Sequence, residues 1–390
     1  MSRLFPLVVA VLALTTAAAS CAPITMHQPA VQFELAADSV VVPLQVVDGH
    51  ITVQVMLDGK GPFAFLFDTG AQGSVMDLAF AREQGLDLGQ QITVSSPGGG
   101  GRPGYLVSIG RLEVGGLALR GLTSIAFDGL PFPRTATSPR GVLSPYSLAG
   151  LLITVDYPGQ RLVFRRGALP APDEREVFGW DRARGLPLIP IHIGGQSLSV
   201  HLDTGASRGL SLPTALQSRL TFDGPLRDMG FARTVDRAEA VRGGCVKGAL
   251  TLGRYTLEDP EVSFSDMEPG VGNVGGAMLS GLAITIDPAN ARLRLAGPAD
   301  GRLTVLADQK PHYGLQLTAL DANPPEVVLV DAGSPAEQGG LHAGDRITRI
   351  NGKPVEALSV EDRVTALKAT SLKLTVRRGD SSAELVLALK

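Results

Sequence analysis

Two Asp-Thr-Gly triplets, Asp68-Thr69-Gly70 and Asp203-Thr204-Gly205, are the residues of this chain best suited to do chemistry. They stand 135 residues apart, each ends an apolar run, and each is followed by alanine, Ala71 and Ala206. One unplaced triplet arises by chance in about one chain in ten of this length at average residue usage. Two in the same setting ask for a common cause. Aspartate supplies a carboxylate, glycine lets the backbone turn sharply and approach another segment, and the threonine hydroxyl both donates and accepts hydrogen bonds. Two such loops set back to back would bring the carboxylates face to face. Like charges that close cannot both ionise, so the pair holds one shared proton. One oxygen then takes a proton from water while the protonated partner polarises a carbonyl. That is metal-free hydrolysis of a peptide bond.

The elements that must position the triplets are repeated as well. Ile51–Leu57 alternates like a strand, Asp58-Gly59-Lys60-Gly61 makes a turn, and Phe63–Phe67 runs back into Asp68. Ile189–Ile193, the Gly194-Gly195 turn and Leu198–Leu202 do the same for Asp203. Both read as hairpins whose second strand delivers the aspartate. A second matched pair follows, Thr154–Phe164 and Thr285–Leu295, each strand, tight turn, strand; Asp156 lies 88 residues after Asp68 and Asp287 lies 84 after Asp203. Agreement at two separated landmarks predicts an internal duplication: one lobe over 45–166, a second over 185–297. Arg165–Gly185, charged and proline-containing, reads as the linker between them.

The triplets and their hairpins resemble the aspartic proteases of the retropepsin and pepsin clan, in the bacterial form with two retropepsin-like lobes in one polypeptide. The resemblance covers about residues 45–297 and implies a mainly β, bilobal acid-protease fold. It implies catalytic roles for Asp68 and Asp203, with Thr69, Gly70, Thr204 and Gly205 supporting the active-site loops. The clan also carries an apolar-apolar-Gly element that braces each loop. Gly272-Asn273-Val274-Gly275 fits it in the second lobe; Gly141-Val142-Leu143-Ser144 is the nearest segment in the first, with Ser144 where glycine is expected. Substrate-covering flaps are expected around Gly98–Gly101, between Pro97 and Pro103, and around Met229–Gly244; Tyr105 is either a flap aromatic or an ordinary strand tyrosine. With alanine after each triplet, no hydroxyl is added there to favour the ionised carboxylate, so the dyad is expected to work at mildly acidic to neutral pH.

Residues 305–390 resemble a PDZ domain of the type attached to bacterial periplasmic proteases, a small α+β module. The matching residues are Tyr313-Gly314-Leu315-Gln316-Leu317, Ser334-Pro335-Ala336, Gly344-Asp345-Arg346-Ile347 and Ile350-Asn351-Gly352-Lys353-Pro354. Backbone N–H groups at Gly314, Leu315, Gln316 and Leu317 are expected to receive a peptide C-terminus that adds a strand to the module. A closed structural module without ligand is the alternative.

At the N-terminus, Arg3, the apolar run Leu4–Leu14 and the small residues Ala17-Ala18-Ala19-Ser20 read as a signal peptide over 1–21. Two readings of its end follow: acylation of Cys21 as in a bacterial lipoprotein, or cleavage near Ala19. Either places the protein outside the cytoplasm, in the periplasm or lipid-anchored to the cell envelope. The two cysteines make no disulfide framework; Cys245 is expected to be a buried lone thiol, or the partner of Cys21 in a single bridge. Neither has histidines at zinc-ligand spacing, and no metal or organic cofactor is implied.

The 390 residues carry a formal net charge of −3, which gives no electrostatic reason to expect nucleic acid. Glycine (47) and proline (27) are plentiful against 5% aromatics, a mixture favouring short strands and turns over long helices. The function implied is an aspartic endopeptidase, monomeric because one chain supplies both aspartates, with a peptide or protein as substrate. The rival is a catalytically silent peptide-binding or scaffolding envelope lipoprotein.

Overall fold

The computed structural model describes residues 13–14, 31–47, 50–95, 101–130, 132, 135, 138–182, 186–233, 238–266, 270–305, 313–318, 320–331 and 333–389. Apart from 13–14, the signal segment 1–21 with Cys21 lies outside these, as do the glycines 98–100 of the first flap. The fold is mainly β. Among the described residues no helix is long and apolar enough to cross a membrane.

Both predicted hairpins form. His50–Leu57 pairs antiparallel with Lys60–Phe67 across Asp58 and Gly59, at φ 48° and 78°; Ile189–Ile193 pairs with Gln196–Asp203 across Gly194 and Gly195, at φ 54° and 74°. Positive φ at both turn positions gives the twist that matches two right-twisted strands, which is why Asp-Gly and Gly-Gly stand there. Ile51, Val53, Val55 and Leu57 are all buried, as are Ile189, Ile191 and Ile193. Each such side chain contributes about 2 kcal/mol relative to exposure. A one-residue slip would turn the whole set to solvent, so the alternation pins the register.

Each hairpin lies inside a larger sheet with the same neighbours. In a ten-stranded sheet, Lys60–Phe67 is flanked by His50–Leu57 and by the parallel strand Gly141–Leu143. In a nine-stranded sheet, Gln196–Asp203 is flanked by Ile189–Ile193 and by the parallel strand Gly272–Gly275. Separate apolar cores lie under the two sheets, one around Val55, Phe67 and Leu119, the other around Ile191, Leu252 and Val274.

A third, six-stranded sheet draws strands from both halves, in the order Val177–Gly179, Arg292–Ala296, Ala283–Asp287, Leu152–Asp156, Arg161–Arg165, Ser39–Pro43. The second matched pair of hairpins meets at its centre. Thr154 stands opposite Thr285, with their hydroxyls 2.8 Å apart. Here the reading of Arg165–Gly185 as a linker is corrected. Val177–Gly179 occupies one edge of this sheet as Ser39–Pro43 occupies the other, and Val177, Phe178 and Leu169 are buried. The Leu169 N–H donates to the buried carboxylate of Asp287 at 2.9 Å. Its charge and prolines made the segment look like solvent-exposed chain; three apolar residues decide otherwise.

Cys245 is also corrected: it ends the strand Ala238–Cys245 and is exposed, with Val246 beyond it taking the buried position. Tyr105 is a strand residue, paired with Gln91 and Ala126 and packed against the first core.

Apart from residues 228–231 in one edge strand, the three sheets belong to one compact unit, and residues 308–390 form the bulk of a second. In the second unit Leu315–Leu317 pairs with Val327–Val330, and four strands, Arg346–Ile350, Lys353–Pro354, Ser371–Arg378 and Ser381–Ala388, make a separate sheet. Pro335–Gln338 and Val360–Leu367 are helical, the latter opened by a capping box in which Ser359 and Asp362 satisfy each other's backbone N–H. Arg363 of that helix is buried, and its guanidinium donates to Leu320 O, Ala322 O, Asn323 Oδ1 and Val355 O. Asp345 is buried and accepts two bonds from Arg378, each 2.7 Å.

Candidate active site

The two triplets meet in space across 135 residues of sequence. Thr69 N–H donates to Thr204 Oγ1 at 3.0 Å, and Thr204 N–H donates to Thr69 Oγ1 at 3.0 Å. The hydroxyls then donate onward, Thr69 to Leu202 O at 2.5 Å and Thr204 to Phe67 O at 2.7 Å. All four bonds are buried, so each satisfies groups that would otherwise be stranded away from water.

This grip sets the glycines against the carboxylates. A Cβ placed on Gly70 would lie 2.5 Å from Asp203 Oδ1, and one on Gly205 would lie 2.5 Å from Asp68 Oδ2. Real Cβ atoms do not approach oxygen that closely, so glycine is required at both positions by space alone. Each carboxylate is also held by its own loop. Gly70 N–H donates to Asp68 Oδ1 at 2.6 Å; Gly205 and Ala206 N–H donate to Asp203 Oδ1 at 2.8 and 3.1 Å.

Burial pushes the Asp68 carboxyl well above the usual carboxylate range, and the neighbouring Asp203, through charge and hydrogen bonding, pushes it further. A carboxyl so placed keeps its proton where an ordinary aspartate has lost it. Tyr146 and Tyr157 complete the surroundings. Burial first, and then the charges of the two aspartates, raise both phenols, so both hydroxyls stay protonated. Tyr146 donates to Thr69 O at 3.1 Å and meets Trp180 edge-on, with ring centroids 6.1 Å apart.

Both bracing strands are present. Gly141–Leu143 runs parallel to Lys60–Phe67, and Asp68 N–H donates to Leu143 O at 3.2 Å. Ser144, in the place expected for glycine, makes its own contribution. Its hydroxyl donates to Ala71 O at 2.6 Å, accepts from Tyr146 N–H at 3.2 Å and so caps the helical turn Pro145–Leu148. In the second half Gly275 takes the equivalent place, with Arg208 O against the position of its absent Cβ. There the backbone N–H groups of Gly275 and Gly276 bond Gly209 O and Ala206 O, each at 2.7 Å.

Tyr146 was not singled out in the sequence, and Ser144 and Asn273 were read only as members of the bracing elements, without the bonds they make. Tyr146 and Ser144 were legible in part, since Ser-Pro is a helix-start signal. Asn273 stands in an element read as apolar. It is instead a hydrogen-bond donor, with Nδ2 2.8 Å from Asp203 Oδ2. The lone amide in a strand of otherwise apolar residues and glycine was the available signal.

In the second unit, Leu315–Leu317 pairs along one edge with Val327–Val330 and has no strand on the other among the described residues. Asp331 N–H donates to Gly314 O at 2.8 Å, tying the preceding loop to the end of the partner strand.

Known proteins agree with this division. Residues 53–145 match the aspartyl protease family model, a span that includes Asp68 and ends before Asp203, and residues 303–377 match that of the PDZ domain. The chain therefore carries an aspartyl protease-family domain and a PDZ domain, a peptide-binding module. Over 76 residues it is 38% identical to the Na(+)/H(+) exchange regulatory cofactor NHE-RF1 of Gallus gallus. That stretch is 19% of this chain and 23% of the relative, so the chain spans about a quarter of the length of the curated protein it matches.

Proposed function

We propose that the protein is an aspartic endopeptidase whose two halves, about 45–166 and 185–297, supply one catalytic dyad, Asp68 and Asp203. The reciprocal approach of each triplet's glycine to the opposite carboxylate carries this reading. It brings two acids together in a buried setting where one proton is retained. Water deprotonated by the ionised member attacks the carbonyl carbon of the scissile peptide, while the protonated member donates to the carbonyl oxygen. The tetrahedral diol then collapses: the C–N bond breaks, a proton passes to the leaving nitrogen, and the dyad returns to its starting state. The raised Asp68 supports activity at mildly acidic to neutral pH, because the singly protonated dyad persists upward from the ordinary carboxylate range.

The PDZ domain, about 305–390, would receive a peptide C-terminus at Gly314, Leu315, Gln316 and Leu317. The strand edge beside Leu315–Leu317 supports that geometry. The signal-like segment 1–21 supports export, with the mature chain either soluble in the periplasm or lipid-anchored through Cys21. One chain carries both aspartates, which supports action as a monomer.

The test is cleavage of peptides by the purified mature chain beside Asp68→Asn and Asp203→Asn. Loss in both variants is expected. Cleavage surviving in either removes the shared-dyad mechanism, and an inert wild type that still binds peptide favours the scaffolding reading.

A further inference from the structure

We propose that Asn273 is a positioning residue that holds Asp203 as the ionised member of the pair and leaves the shared proton on Asp68. The proposal rests on the dyad reading above and adds to it the assignment of roles.

The two halves match closely around the carboxylates, and they differ at this position. In the parallel strand pairs, Asn273 stands beside His201, two residues before Asp203. The equivalent residue of the first half is Val142, beside Leu66, two residues before Asp68. Valine has no hydrogen to donate. Asn273 Nδ2 donates to Asp203 Oδ2 at 2.8 Å, while Gly205 and Ala206 N–H donate to Oδ1 of the same carboxylate at 2.8 and 3.1 Å. Three donors on two oxygens suit an anion, because an ionised carboxylate only accepts and a protonated one must give a hydrogen away. Asp68 has the backbone N–H groups of Gly70 and Gly205 and no side-chain counterpart of Asn273 at Val142, so the amide is what sets the two carboxylates apart.

The two phenols beside the pair do not compete for its proton. Tyr146 and Tyr157 stay neutral, and His201, the register partner of Asn273, has Nδ1 3.0 Å from Pro187 O. The far end of the amide is informative too. Asn273 Oδ1 is buried without a hydrogen-bond partner among the described residues, so the bond to Asp203 is the one the structure gives this amide. Roles follow with atoms balanced. Asp203 takes the proton of the attacking water, and Asp68 gives its proton to the carbonyl oxygen. On collapse Asp203 passes its proton to the leaving nitrogen as the C–N bond breaks, and Asp68 recovers one from a diol hydroxyl.

The test reads the free, full-length chain by carboxyl-carbon NMR with labelled aspartate, the two resonances assigned through Asp68→Asn and Asp203→Asn. On raising the pH, Asp203 is expected to ionise first and Asp68 last. In Asn273→Val the lower transition should move up by about one pH unit, the worth of one hydrogen bond to a charged group. Moving the amide across, Val142→Asn with Asn273→Val, should reverse the order. Asp68 ionising first in the wild type overturns the proposal, as do unchanged transitions in Asn273→Val. If that variant does not fold, the wild-type order decides alone. No substrate is present in these titrations. A chain that titrates as described yet cleaves nothing therefore defeats the endopeptidase and leaves the proton assignment standing.

Discussion

Thr69 and Thr204 each use one hydroxyl twice, accepting from the other's backbone N–H at 3.0 Å and donating to the carbonyl two residues before the other. The link joining the two halves at the dyad is thus made of neutral groups, and its strength does not depend on the protonation of the aspartates beside it. Replacing either threonine with valine keeps shape and strands one buried N–H and one buried carbonyl. Each variant is expected to lose about 2–3 kcal/mol. The double variant should lose less than the sum, since both act in one network. Fluorescence of Trp180, the chain's single tryptophan, reads this in denaturant titrations because it sits against Tyr146.

Gly70→Ala and Gly205→Ala each drive a methyl into the opposite carboxylate. Displacement of about 1 Å at a reacting group costs on the order of 100-fold in rate. Loss of at least that much kcat is expected for both, measured as peptide cleavage, with the overpacking lowering stability by about 1–3 kcal/mol. Activity near wild type in either would mean that the carboxylates do not act where the structure holds them.

Ser144→Gly restores the glycine of the bracing pattern and should nonetheless destabilise. The change removes the donor to Ala71 O and the cap on Tyr146 N–H. A loss of about 1–2 kcal/mol is expected from the cap and the stranded carbonyl, read by the same fluorescence. Equal or greater stability would show that the hydroxyl contributes nothing.

Asp68 makes stability depend on pH with a definite sign. Its folded pKa lies above its unfolded value, first because it is buried and then because Asp203 adjoins it. Folding therefore favours the protonated form: its contribution is full below about pH 4, the unfolded value, and is lost as pH rises through the folded pKa. Asp68→Asn cannot ionise. Its unfolding midpoint relative to wild type should climb steadily from pH 4 toward neutrality, and a flat difference would contradict the burial of a proton-holding acid.

Asp345 in the PDZ domain has the opposite sign. Burial opposes its ionisation, but the Arg378 pair and the His342 N–H outweigh that effect and hold the pKa below the usual range. The stabilisation is present above about pH 4 and lost as pH falls through the folded value. Asp345→Asn should cost about 2 kcal/mol near neutrality and progressively less in acid, measured by hydrogen exchange of amides in Arg346–Ile350 and Ser371–Arg378.

Much of this protein is local and was readable. Alternation over Ile51–Leu57 and Ile189–Ile193 announced strands because side chains on a strand alternate between two faces. Asp58-Gly59 and Gly194-Gly195 announced their turns because few residues accept positive φ. The duplicated triplets and hairpins foretold that the Asp68 and Asp203 loops would meet. Apart from the duplication, which spans 135 residues, identities spaced over two to ten residues are enough for such features.

Other features were settled by the pairing and packing of the folded chain. Val177–Gly179 is a strand, not a linker, because Arg292–Ala296 offers an edge to pair with. Cys245 faces solvent because Val246 takes the buried place. Asn273 in an element read as apolar, and Ser144 at an expected glycine, became intelligible once Asp203 Oδ2 and Ala71 O were found beside them. A side chain's type states which bonds it can make; only the folded chain brings the atom that completes them.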